Sequence, residues 1–140
     1  MMTAAADVRV GTLMSTNPVV IGSSALASEA EQLLKTYRVS GLPVVDDGTV
    51  VGVISQSDIL VARSSEMISG HWDRMLVRHL MSTPAVSIHA TASVRYAARQ
   101  MVTRHIHRLV IVDDDGRPIG VVTTLDLLHP LLDEPDVAAD

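Results

Sequence analysis

The chain has 140 residues, which is enough for one domain or for two small lobes that share a core. Hydrophobic residues make up 47% of it but aromatic residues only 2%, so the core must be aliphatic, and the absence of cysteine excludes disulfides, thiolate metal sites and cysteine nucleophiles. The formal net charge of −5 argues against a nucleic-acid surface, and the apolar runs are too short to span a bilayer.

An internal repeat is the most informative feature of the chain. LMSTNPVVI at Leu13–Ile21 returns as LMSTPAVSI at Leu80–Ile88. VVDDGTVVGVISQSDIL at Val44–Leu60 returns as IVDDDGRPIGVVTTLDLL at Ile111–Leu128. The copies are offset by 67 residues at the start and by 68 at the end, because the second copy has one extra residue in a turn. We therefore expect two copies of one structural unit.

Each copy begins with the same two predicted elements. A short extended piece comes first, at Pro18–Ile21 and at Ala85–Ile88. A helix follows, because apolar residues recur there at the spacing of one helical face. We expect this helix to be capped by Ser23 or Ser24 in the first copy and by Thr91 in the second.

Each copy then continues with a hairpin and a last helix. Gly48 and Gly116 lie in Asp/Gly turns between two apolar strands, where a permissive backbone is needed. The last helix begins near Ser57–Asp58 or Thr124–Asp126. The fold class is therefore α/β of the α+β type, with two β-α-β-β-α repeats packed sheet to sheet about a pseudo-twofold axis, since one repeat alone cannot bury its sheet.

The boundaries of these units follow from the repeat. Repeat 1 is expected at residues 8–62 and repeat 2 at 77–130. A linker with helical character joins them at 63–76. Residues 131–140 form an acidic tail, which we expect to be disordered because it is charged and contains proline.

The order of motifs in each copy resembles the CBS domain. An LM-S/T-P start, a VVD-turn-G hairpin and a G-h-h-[ST]-x-x-D close occur twice, so the chain from Val8 to Leu128 resembles the tandem arrangement called a Bateman module. The resemblance implies a regulatory protein that binds an adenosine-containing ligand in clefts between its repeats: AMP, ADP, ATP or another adenosyl compound, with no obligatory cofactor. It also implies a homodimer in which four repeats form a disc.

The resemblance further implies which residues bind the nucleotide. In the family the aspartate of the closing motif contacts the ribose hydroxyls, and its serine or threonine contacts ribose or phosphate. IHRLVIVD is similar to a run in the gamma subunit of AMP-activated protein kinase, where the histidine and arginine hold phosphates. Carried over, with the threonines of the opening motifs added, the nucleotide-binding set is Ser55, Asp58, Thr123, Asp126, His107, Arg108, Thr16 and Thr83.

The same residues have plainer interpretations. A carboxylate can accept from two vicinal hydroxyls, as in other nucleotide folds, but Asp58 and Asp126 could equally cap their helices. Arg108 offers a planar fork to a phosphate, but it could be a solvated charge at the start of a strand, with His107 a structural residue. Repeat 1 has Ser40 and Gly41 at the matching positions, with no cation. The two clefts are therefore expected to differ in their preference for charged ligands.

No pattern of catalytic residues is evident, so we expect a protein that is not an enzyme. There is no Walker A loop and no GxGxxG, and His105 with His107 lacks a third metal ligand at suitable spacing. The leading hypothesis is a cytoplasmic sensor whose ligand-induced change is read by an unidentified protein effector, with no membrane or nucleic-acid partner. The alternative is a constitutive dimerisation or protein-interaction scaffold whose clefts are vestigial.

Overall fold

The computed structural model describes residues 8–65 and 70–132. In the first half the elements are a 3-10 turn (Val10–Thr12), β1 (Ser15–Thr16), β2 (Ile21–Gly22), α1 (Ala27–Tyr37), β3 (Gly41–Asp46), β4 (Thr49–Ser55) and α2 (Gln56–Ser64). In the second half they are a 3-10 turn (Trp72–Arg74), α3 (Val77–Leu80), β5 (Ser87–His89), α4 (Val94–Arg104), β6 (Arg108–Val112), β7 (Pro118–Thr123) and α5 (Thr124–Leu132).

The described strands form two sheets. One has the order β2-β3-β4 and the other the order β1-β7-β6-β5. In each repeat the opening strand is parallel to the next one, β2 to β3 and β5 to β6, and the hairpin strands are antiparallel. A helix crosses between the two parallel strands, as this connection requires. The expected α+β class with two β-α-β-β-α repeats is confirmed.

The opening segments of the two repeats are exchanged. Strand β1 of repeat 1 pairs with β7 of repeat 2, with Ser15 opposite Val121. In return Ser82 of repeat 2 bridges Val53 in β4 of repeat 1. The sheet of repeat 2 thereby has a fourth strand, β1, which comes from the other half of the chain.

Two glycines allow this exchange. A Cβ on Gly52 would lie 2.7 Å from the carbonyl oxygen of Ser82, and a Cβ on Gly120 would lie 2.8 Å from the carbonyl oxygen of Ser15. Both distances are well inside ordinary van der Waals contact. The glycine that starts each G-h-h-[ST]-x-x-D motif is needed because the backbone of the other repeat passes directly over it.

Each repeat has its own aliphatic core, and the exchange ties the cores together. Val10 precedes repeat 1's first strand but is buried in the core of repeat 2, with Leu109 and Ile111. Val77, in the segment leading into repeat 2, is buried in the core of repeat 1. Trp72 also packs against that core, and the guanidinium of Arg63 lies 4.5 Å from the centre of its ring.

The expected caps of the two crossover helices are not the ones that form. Helix α1 begins at Ala27 with Leu26 at its N-cap position, so Ser23 and Ser24 lie too early in the chain to cap it. The hydroxyl of Ser23 donates to the Asp46 carboxylate at 2.7 and 2.9 Å. Helix α4 is capped by Ser93, not by Thr91, because Ser93 directly precedes its first residue and accepts from the Tyr96 N–H at 3.1 Å. Both helices therefore begin two residues later than caps at Ser24 and Thr91 would place them.

Helix α5 extends to Leu132, two residues into the segment expected as an acidic tail. The rest of that segment, 133–140, lies outside the described residues. Across residues 8–65 and 70–132, no helix combines the length and the apolar character that crossing a bilayer requires.

Candidate functional site

Two related clefts lie between the repeats. Cleft 1 has a volume of about 120 Å³ and is lined by Val53, Ser55, Asp58, Ser82, Pro84, Ala85, Val86, Ile106 and Arg108. Cleft 2 has a volume of about 340 Å³ and is lined by Ser15, Pro18, Val19, Arg38, Val39, Ser40, Gln56, Arg108, Val121 and Thr123. Cleft 2 is within the usual size range of small-molecule sites, and cleft 1 would have to widen to admit a nucleotide.

The walls of the two clefts come from matching positions of the repeat. Each has a valine and a hydroxyl residue from the end of a hairpin: Val53 and Ser55 in cleft 1, Val121 and Thr123 in cleft 2. The facing wall of each is formed by the opening segment of the other repeat, which the exchange brings there. The internal duplication therefore produces two clefts of the same construction.

Asp58 stands at the start of α2, in cleft 1. Its Oδ2 accepts from the N–H of Ser55 at 2.8 Å and from the Ser55 hydroxyl at 2.9 Å. In return the Ser55 hydroxyl accepts from the N–H of Asp58 at 3.2 Å, which completes a capping box. These bonds fix the orientation of a carboxylate that lines the cleft.

Asp126 has the same place at the start of α5. Its Oδ2 accepts from the N–H of Thr123 at 2.8 Å, and its own N–H donates to the Thr123 hydroxyl at 3.3 Å. Thr123 lines cleft 2, whereas Asp126 is not part of the cleft's lining. In both repeats the described residues hydrogen-bond only to Oδ2, so the cap leaves the other carboxylate oxygen available. Capping the helix and accepting from a ribose are therefore compatible roles.

Arg108 is the one residue that lines both clefts. Its Nη2 donates to the hydroxyl of Ser40 at 2.7 Å. Burial lowers the pKa of Arg108 below its ordinary value, and the negative charge of Asp58 opposes that effect. Among the described residues no carboxylate comes within 4.0 Å of the guanidinium. Most of its N–H donors are therefore available to a bound anion.

Gly41 makes room for this side chain. It occupies the position of repeat 1 that corresponds to Arg108, and a Cβ on it would lie 2.9 Å from Cδ and 3.0 Å from Nε of Arg108. Repeat 1 has no cation at this position, and the side chain of Arg108 occupies the space that a side chain on Gly41 would need. The two clefts differ in charge, as cleft 1 contains Arg108 with Asp58 and cleft 2 contains Arg108 with Arg38.

Three other residues nominated from the sequence lie elsewhere. His107 is exposed and lines neither cleft, although its carbonyl accepts from the N–H of Thr124 at 2.9 Å. Thr16 lines a different concavity, beside Arg117. Thr83 does not line cleft 1, and its methyl group would lie 3.1 Å from a Cβ on Gly52.

The opening motifs contribute serines that the sequence reasoning missed. Ser15 is paired directly with Val121, so their side chains share a face and both line cleft 2. Ser82 is likewise bridged to Val53, and both line cleft 1. Adjacent residues of a strand point to opposite faces, which turns the neighbouring threonines away. Only the pairing register, which no local pattern reveals, selects the serine over the threonine.

A metal centre finds no support in the part of the chain that the structure describes. Within residues 8–65 and 70–132 there is no group of three or more histidine, aspartate or glutamate side chains that could hold a metal ion. His105 ends α4 in a left-handed conformation with φ 54°. The chemistry offered by the clefts is instead that of recognition: apolar walls, hydroxyl groups, a fixed carboxylate and a guanidinium.

Comparisons with known proteins agree with this architecture. The sequence profile of the CBS domain matches residues 10–65 and 77–133. The CBS domain-containing protein YhcV of Bacillus subtilis (strain 168) is 30% identical over 114 residues, which are 81% of this chain and 79% of that protein. Other curated relatives are longer, and the chain spans 57% and 39% of the length of two of them.

Two solved structures resemble the whole arrangement. CBSX2, determined in complex with AMP, has a TM-score of 0.77 and 31% identity, with 89% of this chain and 96% of that chain covered. The CBS domain pair of protein MJ0100, determined in complex with 5'-methylthioadenosine and S-adenosyl-L-methionine, has a TM-score of 0.79 and 26% identity, with 89% and 95% covered. With two matched domains that span most of its length, the chain belongs to the CBS domain family.

Proposed function

We propose that this protein is a regulatory module that binds an adenosine-containing compound between its repeats and passes the resulting change to a protein partner. The observation that carries the proposal is the pair of inter-repeat clefts beside helix starts where Asp58 and Asp126 are held by their caps with one oxygen available. Apolar walls suit a base, a fixed carboxylate suits a ribose diol, and a guanidinium suits a phosphate.

The related structures support this class of ligand. One neighbour at 31% identity is a complex with AMP, and another at 26% identity is a complex with 5'-methylthioadenosine and S-adenosyl-L-methionine. These compounds share adenine and ribose and differ in charge at the 5' position. We therefore assign adenosine as the common element, with AMP, ADP, ATP and S-adenosylmethionine as the candidates to compare.

Within this proposal the residues have separate roles. Asp58 and Asp126 accept from the ribose hydroxyls, and Ser55 and Thr123 support them or contact the ligand. Arg108 contacts a phosphate. His107, Thr16 and Thr83, assigned from the sequence, stay predictions; like Asp126 they are not part of the lining of either cleft.

Signalling requires that the ligand prefer one arrangement of the repeats, because equal affinity for two arrangements shifts neither population. Each ligand would touch both repeats at once, so binding favours a closed arrangement. Exposed leucines at matching positions of α2 and α5, Leu60 at 68% and Leu128 at 42% exposure, support a protein contact there, including the disc-like homodimer. A cytoplasmic location and a protein effector belong to the same proposal, which involves no catalysis.

The test is a binding titration with variants that remove the carboxylate charge but keep a side chain able to cap the helix. Asp58→Asn and Asp126→Asn keep an oxygen that can cap the helix but remove the charge that the ribose hydroxyls would meet. Isothermal titration with adenosine and with the four candidates should give affinity losses of about 10-fold or more in each variant's own cleft, since a hydrogen bond to a charged group contributes about 1.5–3 kcal/mol. Asp73→Asn, at an exposed position outside both clefts, is the matched control.

A protein that binds none of these compounds, and whose melting temperature none of them raises, would contradict the sensor and favour the scaffold alternative. Loss of affinity in Asp73→Asn equal to that in the other two variants would contradict the residue assignments.

A further inference from the structure

A single guanidinium stands between two ligand sites. Arg108 lines cleft 1, together with Asp58, and also lines cleft 2, where its Nη2 donates to Ser40 at 2.7 Å. The other walls of the two clefts are formed by different residues. The two sites are therefore connected through one charged side chain.

This side chain is suited to move between them. Its partner on the side of cleft 2 is an uncharged hydroxyl, and on the side of cleft 1 the Asp58 carboxylate attracts it without forming an ion pair. An arginine has a long flexible stem and five N–H donors, so it can turn its fork toward a phosphate on either side. It cannot present the same bidentate face to two phosphates in different clefts.

No second residue takes its place in the matching position. Gly41 is the repeat 1 counterpart, and even a Cβ there would lie 2.9 Å from Cδ of Arg108. Cleft 2 does have Arg38 in its lining, at the end of α1, whereas cleft 1 has no other cation in its lining. Drawing Arg108 into cleft 1 would thus leave Arg38 to bind an anion in cleft 2, whereas drawing it into cleft 2 would leave cleft 1 with no cation in its lining.

We propose that Arg108 is shared by the two clefts and makes them antagonistic toward anionic ligands: a phosphate bound in one cleft lowers the affinity of the other for a second phosphate. The inference rests on the proposed function, since it requires both clefts to accept adenosine compounds. By linkage the effect is reciprocal. An uncharged ligand such as adenosine has no phosphate to attract the guanidinium, so it binds the two clefts independently.

The experiment measures coupling directly by calorimetry. Ser82→Trp fills cleft 1 and Ser15→Trp fills cleft 2, and the two serines are exposed residues at matching positions of the repeat. Each variant therefore gives the association constant of the cleft that stays open. The coupling factor is the product of the two stepwise association constants of the unblocked protein divided by the product of the two single-cleft constants. It equals one when the clefts are independent.

We expect a factor of about 0.2 or lower for AMP, in the usual range of coupling between sites, and a factor close to one for adenosine. Arg108→Gln, with and without the blocking substitutions, should weaken AMP and return its factor to one. Should a blocking variant fail to melt cooperatively, Val86→Trp and Val19→Trp fill the same clefts from equivalent positions. If Arg108→Gln fails to melt cooperatively, Arg108→Met replaces it, since it also removes the charge.

Two results would overturn the inference and leave the proposed function standing. One is binding of AMP in both clefts with a factor near one. The other is an AMP factor that stays low in Arg108→Gln, which would assign the antagonism to repulsion between the phosphates. Failure of both AMP and adenosine to bind would overturn the inference and the proposed function together.

Discussion

Replacing Gly52 by alanine tests whether the exchanged opening segments constrain the fold. In strand β4 the Cβ of alanine would lie 2.7 Å from the carbonyl oxygen of Ser82, whereas ordinary contact begins at 3.4 Å. The Ser82 backbone would have to retreat by about 0.7 Å. That backbone is held by two hydrogen bonds to Val53, one in each direction, at 2.9 and 3.1 Å.

The expected cost follows from these contacts. Overpacking costs about 1–3 kcal/mol, and weakening one bridging hydrogen bond costs about 1 kcal/mol more. Alanine recovers about 0.4–1 kcal/mol by restricting the unfolded chain. The free energy of unfolding should fall by about 2 kcal/mol, which at an ordinary m-value of about 2 kcal/mol/M lowers the urea midpoint by about 1 M.

The assay is urea unfolding of Gly52→Ala beside Gly22→Ala. Gly22 is also a strand glycine, but a Cβ there meets only the carbonyl oxygen of Val45, at 3.8 Å. The Gly22 variant should therefore unfold within about 0.5 kcal/mol of the parent protein. Equal midpoints for the two variants would refute the argument that the crossing segment is what requires glycine. Because Ser82 and Val53 line cleft 1, Gly52→Ala should also change ligand binding there.

Two further predictions concern single side chains. Gly41→Ala should leave the melting temperature nearly unchanged, because the atoms it meets belong to the flexible end of Arg108, but it should displace that side chain and weaken AMP more than adenosine in calorimetry; equal losses for both ligands would contradict this. The hydrogen bond from Arg63 lowers the pKa of Glu31 below 4.5, so its stabilisation is present above about pH 4.5 and is lost as the pH falls through the folded-state pKa. Glu31→Gln should therefore be less stable than the parent in urea at pH 7, and the difference in the free energy of unfolding should shrink as the pH falls below the folded-state pKa of Glu31. A difference that stays constant as the pH is lowered would count against the pair.

Those features of the fold that depend on local pattern were predictable from the sequence. The duplicated motifs predict β-α-β-β-α twice, and both predicted hairpins form around a glycine with positive φ, Gly48 at 80° and Gly116 at 79°. The pairing of Ser55 with Asp58 and of Thr123 with Asp126 also follows from spacing, since three residues separate a cap from its partner.

Features that depend on contacts between distant segments were not predictable in this way. Nothing in LMST indicates that it leaves its own repeat and pairs with the other, so the sequence nominates Thr16 and Thr83 where the register brings Ser15 and Ser82 to the clefts. The role of Ser23 also depends on a distant segment: its hydroxyl donates to the carboxylate of Asp46, 23 residues away, while α1 begins only at Ala27 with Leu26 at its N-cap.

The asymmetry of the charges follows from the symmetry of the backbone. Duplication sets the first residues of β3 and β6, Gly41 and Arg108, against each other between the repeats. In the observed position of Arg108 a Cβ on Gly41 would lie 2.9 Å from its Cδ, so a side chain at Gly41 would require the end of Arg108 to move aside. Only one of these two facing positions carries a cation, and that cation lines both clefts, with Arg38 as a second cation in cleft 2 alone. In a duplicated fold, one side chain at the contact between the repeats can therefore line two sites at once. The proposed antagonism between the clefts then requires the movement of that side chain alone.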